Sequence, residues 1–493
     1  MEPKASFMRI VFAASECVPY AKTGGLADII GALPAAVAAM GHEVTVYLPL
    51  YRQVQKHLQK APRKVAIASL TIPFQAYSRF VTVVDGGKVE GVQHYFIDCP
   101  ELFDRESLYG TDAGEYTDNA ERFGLYCRAV IEASKQLGVP DVFHVHDWQA
   151  SLVAVMLRTI YNYDPLLRHV PAVLTVHNAG YQGLFPSSIV PLLTLPWEVY
   201  TVDKMEFWEQ VNLLKGGVVY SDAVATVSPR YAQEIQTPEY GFGLDDIFRK
   251  RSADLHGILD GVDYRHWDPA VDPKIAAHYT PEKLDGKVAC RRDLLHAMQL
   301  DHSRPERPLL GIVSRAATQK GFDFIAEIAG RLAAEDAYLV VLGQGEPYYE
   351  NLFRSIAERY PDRIAVRIAY DEVLAHKIEA GCDMFLMPSR YEPCGLNQIY
   401  SMKYGTVPIV RATGGLDDTV EEWDGNTETG TGFKFFGSTA EEFWQAIERA
   451  LKLFPDKKAW QKLMLNGMAK NFSWEAPAAE YVKLYEETVK RKS

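Results

Sequence analysis

Short runs of apolar residues recur along the chain, each followed by a polar, glycine-containing loop and then by apolar positions spaced for a helix. Met8–Ala14 (MRIVFAA) is the first, continuous rather than alternating, as a strand buried on both faces requires. After the loop carrying Lys22 to Gly25, the period of Leu26–Met40 predicts a helix. Gly41 is placed to end it, and Pro34 is expected to kink it without ending it. Glu43–Leu48 predicts a second strand and completes a β-α-β unit. Asp141–His146, Ala172–His177 and Ala223–Ser228 read as further strands. The second half repeats the pattern, with a strand at Leu309–Ser314 and a helix from Phe322 to Ala334. Strands at Tyr338–Leu342, Ile364–Ile368, Met384–Pro388 and Val407–Val410 follow. The alternation predicts an α/β fold with a parallel, doubly wound sheet in each half.

A chain of 493 residues is long for one core, so two domains are expected. Gly257–Pro269 (GILDGVDYRHWDP) is aperiodic and rich in Gly, Asp and Pro, and is read as a hinge continuing towards Arg304–Pro308. Residues 1–257 and 258–475 are then two Rossmann-like domains. The tail, 476–493, contains an amphipathic helix at Pro477–Lys490 that is expected to pack back on the N-terminal domain.

Composition narrows the class. A hydrophobic content of 47% with 24% charged residues is globular. The net charge of -12 argues against a nucleic-acid partner, which needs a basic face, but not against a small anion held by a few cations. Six cysteines (Cys17, Cys99, Cys127, Cys290, Cys382, Cys394) form no C-x-x-C pair, which fits a reducing compartment and gives no structural zinc site. Met1–Phe7 is short and polar, unlike a signal peptide, and no apolar run spans a bilayer. A cytoplasmic protein without a membrane partner is expected.

The pattern T-G-G-L-x-D occurs twice, at Thr23–Asp28 and Thr413–Asp418, each where a turn gives way to a helical period. Glycines before a helix leave backbone N–H groups and the positive end of a dipole facing open space, which suits an anion. An ordinary turn explains either copy taken alone. Lys22 adds a cation to the first copy, which is neither a P-loop nor a G-x-G-x-x-G fingerprint.

Ligands of open α/β sheets bind beyond the carboxyl ends of the strands, and the chain's reactive residues gather there. Pro388–Leu396 (PSRYEPCGL) is the densest segment. Gly395 is read as starting a helix, so that amides around Gly395, Leu396 and Asn397 can face a diphosphate. Glu392 either accepts hydrogen bonds from sugar hydroxyls or caps that helix. Arg315 and Lys320 flank another strand-to-helix turn, as phosphate ligands or as a solvated basic turn. One preorganised cation of that kind typically contributes about 3–4 kcal/mol to a barrier. Asp147 can meet hydroxyls or a cationic transition state, and Trp148 can pack on a pyranose ring. His144 and His146 face one side of a strand but lack a third clear ligand for zinc. His177 and Asn178, with Tyr181 nearby, form another polar cluster.

Together these segments resemble the bacterial glycogen synthase and plant starch synthase family, retaining glucosyltransferases of the GT-B fold. The matching motifs are K-T-G-G-L-A-D at Lys22–Asp28, Y-T-D-N at Tyr116–Asn119, H-x-H-D-W at His144–Trp148 and H-N-x-x-Y-Q-G at His177–Gly183. They continue with S-R-x-x-x-Q-K-G at Ser314–Gly321, P-S-R-Y-E-P-C-G-L at Pro388–Leu396, and K-Y-G-T…T-G-G-L at Lys403–Leu416. The resemblance runs from Met8 to Glu475. It implies two Rossmann-like domains facing a central cleft, the first binding acceptor and the second nucleotide sugar. It also implies transfer of glucose from ADP-glucose to the non-reducing end of an α-1,4-glucan, with neither metal nor cofactor.

By that resemblance Lys22, Gly24 and Gly25 border the diphosphate and acceptor, and Asp28 supports their loop. Arg315, Lys320 and the turn of Cys394, Gly395, Leu396 and Asn397 hold the diphosphate. Glu392 binds glucose hydroxyls, Asp147 and His177 surround the reacting carbon, and Tyr370 and Tyr109 lie towards the nucleoside. Two positions depart from the family pattern, Gln149 in place of a histidine and Asp260 in place of an asparagine; Tyr400 stands eight positions after Glu392, where related retaining families carry a second glutamate, a difference typical of glycogen synthases. Retention without an evident nucleophile points to front-face displacement. The rival readings are a UDP-glucose donor or another acceptor on the same fold, a phosphorylase dependent on pyridoxal phosphate, and a non-catalytic glucan-binding protein.

Overall fold

The computed structural model describes residues 7–58, 64–111, 114–301, 303–304 and 306–492. The first six residues, on which part of the signal-peptide reading rests, lie outside the described residues, as does Pro305 in the extended hinge. The chain divides into two compact units, Met1–Gly261 with Trp474–Ser493, and Val262–Ser473.

Among the described residues of the first unit, nine strands form one sheet. Those beginning at Leu255, Ala223, Ala172, Val142, Arg9, Glu43, Val92, Ser78 and Lys64 lie side by side in that order. Pairing is parallel from Leu255 to Val92 and antiparallel at the last two strands. The parallel part follows from continuous apolar runs, because helices must cover both faces of such strands. The antiparallel edge, residues 64–98, escapes the periodic reading. Lys64–Pro73 pairs with Ser78–Val89 through register breaks between Val65 and Ile67 and between Ile67 and Leu70, which scramble its alternation.

The first helix runs Gly25–Ala39 through Pro34. Proline has no N–H for the carbonyl of Ile30, four residues back. Cys17 Sγ lies 3.5 Å from that oxygen and 3.2 Å from Val18 O, so its one S–H is shared between the two carbonyls. The final helix, Glu475–Lys492, belongs to this unit and buries Tyr481, Val482, Leu484 and Tyr485. Its end is fixed by Arg491 to Asp254 at 2.7 Å and Lys492 to Asp222 at 2.9 Å.

Among its described residues the second unit has six parallel strands in one sheet, those beginning at Ile364, Tyr338, Leu309, Met384, Val407 and Phe433 in spatial order. Tyr338–Leu342 is buried at every position. The helix Phe322–Ala334 covers the sheet with Phe322, Phe324, Ile325, Ile328, Ala329 and Leu332, the spacing of one helical face. Each fully buried large side chain of that set contributes roughly 1.5–3 kcal/mol. No described helix is long and apolar enough to cross a membrane.

Candidate active site

Each unit gathers polar residues at the carboxyl ends of its strands. In the second unit the strand Leu309–Val313 leads into the turn carrying Arg315 and Lys320, and its neighbour Met384–Met387 leads into Pro388–Leu396. Lys320 Nζ donates to Glu392 Oε2 at 2.5 Å, and Ser389 Oγ donates to the same oxygen at 3.0 Å. Glu392 is buried, so the ammonium answers a charge that would otherwise be costly. Arg315 is exposed and donates to Gln319 Oε1 at 3.0 Å.

Backbone contacts stitch the two turns together. Arg390 N donates to Gln319 O at 2.8 Å, and Gln319 Nε2 donates to Tyr391 O at 3.3 Å. The helix expected from Gly395 starts at Asn397 and runs to Lys403, because Gly395 takes φ +72° and cannot be its first turn. Asn397 Nδ2 donates to Val313 O at 2.6 Å, and Gln398 Nε2 donates to Cys394 O and Gly395 O. No side chain caps the helix at Leu396, which leaves its first amides without a side-chain acceptor.

The second T-G-G-L-x-D copy backs this loop. Gly415 N donates to Glu392 O and Pro393 O at 3.2 and 3.0 Å. A Cβ on Gly414 (φ +45°) would lie 1.9 Å from Glu392 O, and one on Gly415 would lie 2.2 Å from Cys394 O. These glycines serve close approach of two backbones, not an open anion site.

The first copy differs. Gly24 has φ -148°, and a Cβ at Gly24 or Gly25 would meet nothing within 4 Å. The amides preceding the helix are nevertheless engaged. Thr23 N and Gly24 N donate to Glu16 Oε2 at 2.6 and 3.0 Å, while Thr23 Oγ1 and the Tyr109 hydroxyl donate to Oε1 at 2.5 and 2.7 Å. Glu16 thus fills the place that the sequence offers to an external anion, and Lys22 pairs with Asp28 at 2.7 Å. Glu16 is buried, and sequence reasoning passed over it. Its only signal is position, a carboxylate just beyond the end of an apolar strand. Tyr109 is itself held by the Y-T-D-N motif, since Tyr116 N and Asn119 Nδ2 both donate to its carbonyl at 2.9 Å.

Asp147 sits at the end of Val142–His146 with φ +53°, in the left-handed region that few residues besides glycine, asparagine and aspartate adopt. Its Oδ1 accepts from His177 N at 2.7 Å. Burial raises its carboxyl to about 7, against the pull of the His177 and Asn178 amides, and nearby Glu16 adds to the rise. His177 Nε2 lies 3.0 Å from His146 Nδ1, and burial lowers His177 to about 3 and His146 well below its usual range. Both rings are neutral at pH 7.

Trp148 packs among other rings of the first unit rather than standing open at the strand end. It is 4% exposed, edge-on to Phe123 at 5.0 Å and 5.8 Å from Phe185. Among the described residues, no cluster of three or more metal-ligating side chains occurs.

This arrangement can be set against known proteins. The family model for the starch synthase catalytic domain matches residues 9–250, and that for glycosyl transferases group 1 matches 300–463. A glycogen synthase of Koribacter versatilis (strain Ellin345) is 58% identical over 479 residues, covering 97% of this chain and 98% of that one. The chain belongs to the glycogen and starch synthase family. Another relative, the glycogen synthase of Anaeromyxobacter dehalogenans (strain 2CP-C), is 46% identical over 97% of this chain and 99% of its own. The solved catalytic domain of starch synthase IV from Arabidopsis thaliana, bound to ADP and acarbose, matches with TM-score 0.90 and 33% identity, covering 99% of this chain and 100% of that one. Both units are thus parallel-sheet α/β domains of a GT-B glycosyltransferase.

Tyr400 stacks on Trp267 at 4.0 Å, and Trp267 stacks on His376 at 3.7 Å, so position 400 serves a packed ring column. Gln149 and Asp260 are buried in the first unit. Tyr370 is 71% exposed, and among the described residues no hydrogen bond or ring contact joins it to Lys320 or Glu392.

Proposed function

We propose that this family member transfers glucose from ADP-glucose to the 4-hydroxyl at the non-reducing end of an α-1,4-glucan, retaining the anomeric configuration. The observation that carries the reading is the Lys320–Glu392 pair at two adjacent strand ends, beside an uncapped helix start. A diphosphate competes for the ammonium, while glucose hydroxyls compete for the carboxylate. Arg315 and the amides of Leu396 and Asn397 complete the diphosphate ligands, with Cys394 and Gly395 shaping their turn. Tyr370 takes the nucleoside side. The ADP held by Arabidopsis starch synthase IV, at 33% identity, favours adenine over uracil.

In the first unit Lys22, Gly24 and Gly25 line the donor and acceptor, and their open surroundings supply the physical reason for glycine. Asp28 orients Lys22, and Tyr109 fixes the loop through Glu16. Asp147 and His177 contact the transferring sugar. The acceptor hydroxyl attacks on the face from which the diphosphate departs, and a departing phosphate oxygen takes its proton. The protein positions the reactants and neutralises the diphosphate.

Incubation with glycogen and either ADP-glucose or UDP-glucose, followed by measurement of nucleotide release, tests the reading. Faster release from ADP-glucose supports it. Release from UDP-glucose alone would overturn the donor assignment, and release from neither would overturn the reaction.

A further inference from the structure

The final helix reaches the histidines behind Asp147. His146 and His177 are held by few polar contacts. Each gives one ring nitrogen to the other, while His146 Nε2 and His177 Nδ1 are buried without a partner among the described residues. Their orientation therefore depends on what packs against them. Phe12 stacks on His146 at 5.8 Å and 11°, and His144 lies against it at 4.1 Å between ring centroids.

His144 is the anchored member of this file. Its Nε2 lies 2.7 Å from Thr175 Oγ1, and its Nδ1 lies 2.7 Å from the hydroxyl of Tyr485, 341 positions later in the sequence. Tyr481, one turn earlier on the same helix, reaches Thr175 Oγ1 at 3.4 Å. A neutral imidazole needs one donor and one acceptor as partners, and two hydroxyls can provide both. The Tyr485 ring is fully buried, so no water replaces its hydroxyl if it is lost.

We infer that Tyr485 is a positioning residue for glucosyl transfer: through His144 it fixes the ring of His146, and through that ring His177 beside Asp147. It touches neither donor nor acceptor. The helix that ends the chain thereby becomes part of the machinery of the first unit. The effect on turnover rests on the reaction proposed above, whereas the effect on the histidine rings does not.

The test is Tyr485→Phe, which keeps the ring and removes only the hydroxyl. Turnover with ADP-glucose and glycogen is measured per folded molecule, alongside the ring-nitrogen NMR signals of His144, His146 and His177, assigned by single histidine replacements. The expected result is at least a tenfold fall in kcat, KM values for both substrates within twofold of wild type, and shifted signals from His146 and His177. Thr175→Val, which removes the other anchor of His144, is expected to do the same, and Tyr481→Phe to lower kcat less than threefold. A kcat within twofold of wild type in both anchor variants overturns the inference, as do unchanged His146 and His177 signals. Wild-type protein without turnover would reject the proposed reaction instead, and the ring signals would still decide whether Tyr485 sets those rings.

Discussion

Lys320 and Glu392, 72 positions apart, meet as a 2.5 Å ion pair that joins two neighbouring strand ends of the second unit. Removing one partner leaves the other charge in a poor environment, whereas removing both does not. We predict that Lys320→Ala destabilises the protein by about 3 kcal/mol, the lower end for a buried pair because the lysine keeps some exposure. Adding Glu392→Gln should restore most of that stability without restoring turnover. Urea unfolding and nucleotide release on the single and double variants check this. A double variant as unstable as the single one would show that the pair has no such role.

The two T-G-G-L-x-D copies should respond oppositely to alanine. Gly414→Ala places a methyl group 1.9 Å from Glu392 O in a backbone with φ +45°, so a loss of about 2–4 kcal/mol or failure to fold is expected. Gly25→Ala meets nothing within 4 Å and should leave the thermal midpoint within about 3 °C of wild type. It should nevertheless lower kcat/KM more than tenfold, because the methyl group enters space that the proposed ligand occupies. Calorimetry and kinetics on both variants separate the outcomes, and a fully active Gly25→Ala would remove that loop from the site.

Glu16 receives two amides and two hydroxyls, so its loss frees the whole K-T-G-G turn. We predict that Glu16→Ala speeds amide exchange at Thr23 and Gly24 and raises the KM for ADP-glucose more than tenfold. Tyr109→Phe removes one hydrogen bond to a carboxylate, about 1.5–3 kcal/mol, and should weaken the same parameter less. Unaltered exchange at Thr23 in Glu16→Ala would contradict the locking role.

How much of this was legible in the sequence depends on the range of the contacts involved. The helix Phe322–Ala334 and the strand Tyr338–Leu342 have the bounds that their own apolar period gives, since nothing beyond the local pattern competes. The edge strands at 64–98 do not, because bulges interrupt their alternation. The motif around Trp148 suits a ring that packs on a sugar, yet Phe123 and Phe185, distant in sequence, enclose it. The first glycine loop suits an open anion site or an ordinary turn by its local pattern, and no local rule announces that Glu16 turns back onto it. His144 offered no hint of Tyr485 for the same reason. Local pattern carries the elements, and long-range hydrogen bonds decide what occupies their ends.

Two opposing pH dependences of stability are expected below neutrality. His144, His146 and His177 have pKa values depressed by burial, so their contribution is full above about pH 6.5, the unfolded value, and is lost as pH falls towards the folded values. Asp147 is raised to about 7, so its contribution is full below about pH 4 and is lost as pH rises through 7. We predict that Asp147→Asn removes a stability loss of up to about 3 kcal/mol between pH 5 and pH 8, measured as urea midpoints against wild type. An unchanged pH dependence would mean that Asp147 titrates normally.

The most direct measurement follows the transferred sugar itself. ADP-glucose labelled with 13C at the anomeric carbon is supplied with an unlabelled maltooligosaccharide, and the reaction is followed by NMR. The account predicts a new α-1,4-linked anomeric signal at the non-reducing end, growing in step with ADP. Labelled free glucose, a β-linked product, or no labelled product at all would contradict it.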